Sequence, residues 1–147
     1  MSKSNPQLNL DHQICFRLYS ASRQVTRLYQ PLLKEIGLTY PQYIVLLILW
    51  EQDGLLVKEI GERAELNSNT LTPLLKRLAE RGLVTRSKNP DDERQTFIYL
   101  TEAGKALEQS CTCIPAQMMA KAGLNMVQVQ QLKQSLDMLL KSSAATP

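Results

Sequence analysis

LNSNTLTPLLKRLAERGLVTRSKNPDDERQTFIYL, residues 66–100, changes its period partway along. Leu71, Leu74, Leu75 and Leu78 fall at i, i+3, i+4 and i+7, which is one face of a helix, while Asn69, Thr70, Thr72, Lys76 and Arg77 share the polar side. Ser68 or Asn69, both good capping types, should open this helix; it should run to Arg81 and stop where Gly82 can take a left-handed cap. Beyond it, residues 83–88 and 95–100 alternate or are β-rich, and Asn89-Pro90-Asp91-Asp92 between them is turn chemistry. The second half therefore reads as a hairpin.

Working outward, Thr39-Tyr40-Pro41-Gln42 carries an N-cap threonine, a first-turn proline and a glutamine at the capping-box position, opening a buried helix that closes at Asp53-Gly54. Val57 to Glu65 is a short helix with Val57, Ile60 and Ala64 inward, and Leu66-Asn67 is a tight turn. Short helix, tight turn, helix with a polar outer face and basic hairpin make the winged helix-turn-helix order. Before this unit, Ile14, Leu18, Val25, Leu28 and Leu32 form an apolar stripe on a helix that Pro31 should end or bend. After it, Thr101 should cap a helix running into the 110s with a bend at Pro115. Asn125 and Gln128 repeat the capping-box spacing before a last helix striped by Val129, Leu132, Leu136, Leu139 and Leu140, with no pattern past Lys141.

The expected fold is thus mainly α with a small β-hairpin wing, in one domain over 1–147. The winged helix-turn-helix would span about 39–101, flanked by helices at about 10–35 and 102–141 whose apolar stripes lie outside the winged unit and need a partner.

An apolar fraction of 44% with 21% charged residues in 147 residues excludes wholesale disorder. The first ten residues lack the apolar block of a secretory signal, and the longest apolar run, residues 44–50, is far short of a membrane span; a cytoplasmic protein is expected. Three cysteines without framework spacing argue against a disulfide scaffold. Cys111 and Cys113 form a CxC with only His12 as a further soft ligand, so neither a metal nor a cofactor is expected.

The net charge of +3 is modest, but Lys76, Arg77, Arg81, Arg86 and Lys88 stand against Glu80 alone across one short stretch. Double-stranded DNA is the partner such a stretch suits. Ser68, Asn69, Thr70 and Thr72 carry short donors and acceptors for base edges and nearby phosphates, while Lys76, Arg77, Arg86 and Lys88 suit phosphates. In the wing, Asp92 two residues before Arg94 allows a local ion pair that aims the guanidinium. Cys15 has two readings: a small buried hydrophobe beside an apolar stripe, or a sulfur that reacts as its thiolate.

The 66–106 stretch, with its DER element near the wing tip and the LT-x-x-G helix start after it, resembles the recognition helix and wing of MarR-family transcription regulators. Together with ICFRLYSASR, Tyr29 and LTYPQYIVLLILWE, it resembles the OhrR subgroup, repressors that sense organic hydroperoxides. The resemblance implies a homodimer built by the terminal helices, placed on a pseudopalindromic operator with half-sites about one duplex turn apart. It also implies that Arg94 enters the minor groove, and that Cys15 is the peroxide target. Tyrosines matching Tyr29 and Tyr40 would hydrogen-bond its sulfur across the dimer interface; Tyr19, one turn after Cys15, is a further candidate donor. Family members that close an intersubunit disulfide carry a cysteine a few residues after the proline matching Pro115, where this chain has Met118-Met119-Ala120-Lys121. Cys111 or Cys113 would have to resolve the oxidised sulfur instead, or a small-molecule thiol would cap it. The latter is favoured, because residues two apart on one helix point in directions about 200° apart. Two alternatives remain: a repressor that answers a phenolic or drug-like ligand, with Cys15 only packing, and a thiol peroxidase.

Overall fold

In the computed structural model, which describes residues 5–144, Thr39 and Gln42 cap each other reciprocally. The Gln42 amide donates to Thr39 Oγ1 at 3.4 Å, and the Thr39 amide donates to Gln42 Oε1 at 3.0 Å. This box opens α2 (Tyr40–Glu51), which is buried at Tyr43, Val45, Leu46, Ile48 and Leu49. Ahead of it, two short 3-10 turns lead into α1 (Ile14–Lys34). Pro31 does not end α1, which continues to Lys34 and is followed by Gly37 at φ +70°. A proline here removes only its own amide from the bond to the Arg27 carbonyl, and Leu33, 1% exposed, anchors the last turn in the core.

The chain then passes through β1 (Leu55–Leu56), α3 (Val57–Ala64), α4 (Ser68–Glu80), β2 (Val84–Asn89), β3 (Asp92–Leu100) and α5 (Glu102–Cys111). Ile60 is the fully buried residue of α3, with Val57 and Ala64 half-buried. Leu71, Leu74, Leu75 and Leu78 are all buried on α4, as their spacing requires. Each such leucine contributes about 1.5–3 kcal/mol by leaving water. The expected hairpin pairs Val84 with Leu100, Arg86 with Ile98 and Lys88 with Thr96. It gains a third strand, because β1 pairs antiparallel with β3 through Leu55–Ile98 and Leu56–Phe97, giving the order β1-β3-β2.

One cap and one helix boundary differ from expectation. Asn67, not Ser68 or Asn69, is the N-cap of α4: its Oδ1 accepts from the Thr70 amide at 3.0 Å. The helix capped by Thr101 ends at Cys111, and Pro115 stands in the first turn of a separate helix, α6 (Ile114–Ala122). Proline suits that place because first-turn amides have no intrahelical partner.

The structure divides into two compact units between Thr112 and Cys113. The second holds α6, which ends at Gly123 with φ +69°, and α7 (Met126–Ala144), which extends past Lys141. The box at its start forms as read: the Asn125 amide donates to Gln128 Oε1 at 3.0 Å and the Gln128 amide to Asn125 Oδ1 at 2.9 Å. Among the described residues no helix is long and apolar enough to cross a membrane.

Candidate functional site

Asn67 fixes where α4 starts, and therefore which side chains its first turns present. Ser68, Asn69, Thr70 and Thr72 are all exposed there, with Lys76 and Arg77 exposed one turn on. Pro73, also exposed, lacks the amide that would bond the Asn69 carbonyl, which leaves that acceptor outside the helical ladder. The four buried leucines hold the opposite face, so the polar face cannot rotate inward without unburying them.

The sheet brings the wing to this helix. Thr72 of α4 and Arg86, Arg94 and Thr96 of the wing line one cavity of about 190 Å³, floored by Leu75 and Ile98. Asp92 Oδ1 accepts from both the Arg94 backbone amide and Arg94 Nε, each at 3.1 Å. The Asn89 side chain accepts from the Asp91 amide at 3.0 Å and donates to Gln95 Oε1 at 2.8 Å, which sets the hairpin tip. Arg86 and Lys88 are exposed on β2. Of the side chains expected to meet DNA, the fold thus brings Ser68 and Thr72 of α4 near Arg86 and Arg94 of the wing, while Asn69, Thr70, Lys76, Arg77 and Lys88 are exposed on the same elements.

The sulfur site is not assembled within one chain. Cys15 is a free thiol on the first turn of α1, exposed within the single chain. Phe16 stacks beside Tyr19 with ring centroids 6.3 Å apart. The Tyr19 oxygen accepts from Arg23 Nη1, whose Cζ lies 5.3 Å from the ring centroid, and this leaves the phenol's own hydrogen uncommitted by that bond.

Tyr29 and Tyr40 do come together, with centroids 5.1 Å apart, and Tyr43 joins them at 5.7 Å from Tyr29. Burial raises all three phenols above their ordinary range. Tyr43 is pushed up to about 12, first by burial, then by Tyr29, Cys111 and Tyr40. They are therefore protonated hydrogen-bond donors at neutral pH. Tyr43 went unnoticed in the sequence because it reads as one more core residue of α2; its i, i+3 spacing from Tyr40 was the available signal. Yet residues 15 and 29 lie roughly 21 Å apart along α1 at the helical rise of about 1.5 Å per residue.

Cys111 and Cys113 do not share one helix as expected. Cys111 closes α5 and is buried, whereas Cys113 is exposed at the N-cap position of α6. Their directions are therefore not related by the turn of a single helix. Among the described residues no group of three or more His, Cys, Asp or Glu is placed to hold a metal.

Residues 27–111 match the family of the transcriptional regulator SarA/Rot. The chain is 42% identical over 142 residues, 97% of each protein, to an organic hydroperoxide resistance transcriptional regulator of Bacillus subtilis. Among solved structures it is similar to reduced AbfR bound to DNA, with 37% identity, TM-score 0.73, and 94% of this chain and 96% of that one covered. AbfR has also been solved overoxidised on DNA and in a disulfide-formed state. A MarR-family regulator from Rhodococcus sp. RHA1 superimposes with TM-score 0.80 at 26% identity, covering 90% and 95% of the two chains.

Proposed function

The chain belongs to the MarR-type winged-helix transcriptional regulators, in the SarA/Rot family, and from that premise we propose that it is a DNA-binding repressor released from its operator when an organic hydroperoxide oxidises Cys15. The observation that carries the redox half of this reading is the separation just described. An exposed thiol and a set of protonated phenols are both present, but too far apart in one chain to meet. A second copy brings them together. The exposed apolar residues of α1 (Ile14, Phe16, Val25) and α7 (Leu132, Met138, Leu139) are the surface that such a copy would cover, which supports a homodimer built on the terminal helices.

The dimer presents two α4 helices to successive major grooves of a pseudopalindromic operator. Ser68, Asn69, Thr70 and Thr72 face base edges, Lys76, Arg77, Arg86 and Lys88 hold phosphates, and Arg94, aimed by Asp92, enters the minor groove. Affinity falls steeply with salt as phosphate counterions are released.

In the reduced protein, Tyr29 and Tyr40 of one subunit donate to the Cys15 sulfur of the other, with Tyr19 lining the same sulfur. The thiolate attacks the distal oxygen of the hydroperoxide; the O–O bond breaks, a sulfenic acid forms, and the alkoxide takes a proton and leaves as the alcohol. A small-molecule thiol then displaces water to give a mixed disulfide. Burial of Cys111 favours this cap over resolution by that residue, and Cys113 remains the protein alternative. Loss of the phenol bonds shifts Tyr29 and Tyr40, and the spacing of the two α4 helices no longer fits the operator. The relatives reported above are transcription regulators, which favours a single-turnover switch over a peroxidase.

The test is intact mass and operator retention after one equivalent of cumene hydroperoxide, with and without glutathione. Release of DNA with a glutathione adduct on Cys15 is expected, and a Cys15→Ser protein should stay bound. Release of Cys15→Ser under the same treatment would eliminate the reading.

A further inference from the structure

The last turn of α4 is tied to the corner between α1 and α2 by one side chain. Arg81, the C-cap residue of α4, donates through Nη1 to the Gly37 carbonyl and through Nη2 to the Ile36 carbonyl at 3.2 Å. Gly37 is shaped to receive it. A Cβ at Gly37 would lie 2.9 Å from Nη2 and 3.3 Å from Cζ, and the residue sits at φ +70°. The guanidinium therefore rests against bare backbone, with a planar fork matched to two successive carbonyls at the end of a helix, where the macrodipole also favours a cation.

The corner it grips is stiff. The Gly37 amide donates to the Lys34 carbonyl at 3.0 Å, the Leu38 amide donates to the Leu33 carbonyl at 2.9 Å, and Leu38 is buried. Thr39 then locks Gln42 in the capping box, with Tyr40 between them. Tyr40 touches Tyr29 near the other end of the same corner. Residues 36–40 are one continuous segment held by its own hydrogen bonds, and Arg81 is bonded to two of its carbonyls.

We infer that Arg81, seated on the Ile36 and Gly37 carbonyls, is the positioning residue through which a shift of the Tyr29–Tyr40 corner reaches the recognition helix. This rests on the redox reading above and adds the route from sulfur to DNA. α2 and α4 also meet through their buried apolar faces. A two-pronged charge-assisted grip on backbone transmits direction as well as contact.

The experiment compares operator affinity before and after cumene hydroperoxide for wild type, Arg81→Lys, Arg81→Gln and Gly37→Ala, using a duplex selected from a random pool by the reduced wild-type protein. Intact mass verifies oxidation at Cys15 in each. Lysine keeps the charge but not the fork. All three variants are expected to oxidise normally while their reduced-to-oxidised affinity ratio falls about tenfold relative to wild type, within the range of single coupling energies. An unchanged ratio in Arg81→Gln overturns the inference, as does full recovery by Arg81→Lys, which would make the charge and not the grip responsible. Hydrogen exchange on the wild type needs no variant: oxidation should raise uptake in residues 36–40 and 78–83 together, and a rise confined to 36–40 overturns the route. A wild type that keeps its DNA with Cys15 oxidised defeats the redox reading itself, a result separable from failure of Arg81 alone.

Discussion

Asp92 holds Arg94 at two points, its Oδ1 accepting from the backbone amide and from Nε of the same residue at 3.1 Å. The Arg94 side chain is 91% exposed and that of Asp92 33%, so this pair contributes little to folding. What it does is restrict the rotamers of a long cation at the wing tip. Asp92→Ala is expected to leave the melting temperature unchanged and to weaken operator binding several-fold. Arg94→Ala should cost about 1–3 kcal/mol, the scale of one specific arginine contact. Titration of both variants against duplexes with A·T-rich and G·C-rich flanks checks this. If Arg94 reads a narrow minor groove, its loss erases the preference for A·T flanks.

Gly104 in the first turn of α5 lies so near the wing that a Cβ would come within 2.1 Å of the Leu83 carbonyl oxygen. Alanine in a helix ordinarily stabilises by about 1 kcal/mol over glycine. Here the clash is with backbone, which cannot rotate away, and overpacking of about 1–3 kcal/mol or more outweighs that gain. Gly104→Ala should therefore lower stability by up to about 2 kcal/mol in urea unfolding, with an unchanged slope. The Trp50 indole donates to the Gly104 carbonyl at 2.9 Å, so the indole emission should shift in the same variant. A stabilised Gly104→Ala would contradict the packing.

The winged unit was legible because its signals are local. Four leucines at helical spacing, a glycine at the end of α4, a turn cluster in the hairpin and a capping box at Thr39 each act over a few residues, and each formed. The misreadings came where distant packing overrode a local rule. Pro31 stays inside α1 because Leu33 is held in the core beyond it. β1 is two residues long, too short for any period, and exists because β3 offers it an edge. In the candidate site, Cys15, Tyr29 and Tyr40 were singled out through their resemblance to a family pattern and not through spacing, since residues proposed to meet across two chains would have no fixed separation in one. Arg81 read as one positive charge among five; only the fold shows the carbonyls it holds.

Asn67 caps α4 through the Thr70 amide, and no other side chain in that turn takes the role. Asn67→Ala should cost about 1 kcal/mol of stability. Because the cap also sets where the first helical turn begins, operator affinity should fall by more than the stability loss accounts for at temperatures where both proteins are fully folded. Asn67→Asp keeps the acceptor and should restore folding, but it places a negative charge among the groups proposed to face phosphates and should bind DNA more weakly, with the deficit shrinking at high salt. Equal affinity of wild type and Asn67→Asp at low salt would remove α4's first turn from the DNA interface.

Tyr43 gives the fold a pH dependence of definite sign. Its phenol ionises near 10 when unfolded and at about 12 in the native protein, because burial and the neighbouring Tyr29 disfavour the phenolate. Between those values the native state holds a proton that the unfolded state has lost, so stability falls as pH rises. The contribution is fully present below about pH 10 and disappears as pH approaches about 12. Tyr29 and Tyr40 are raised in the same direction and steepen the decline. Urea unfolding at intervals from pH 9 upward, scaled to the unfolded phenol pKa of about 10, should show this loss in the wild type. It should be shallower in Tyr43→Phe, which has no proton to lose there. Parallel curves for the two proteins would mean that Tyr43 is not shielded from water as its place between α1 and α2 requires.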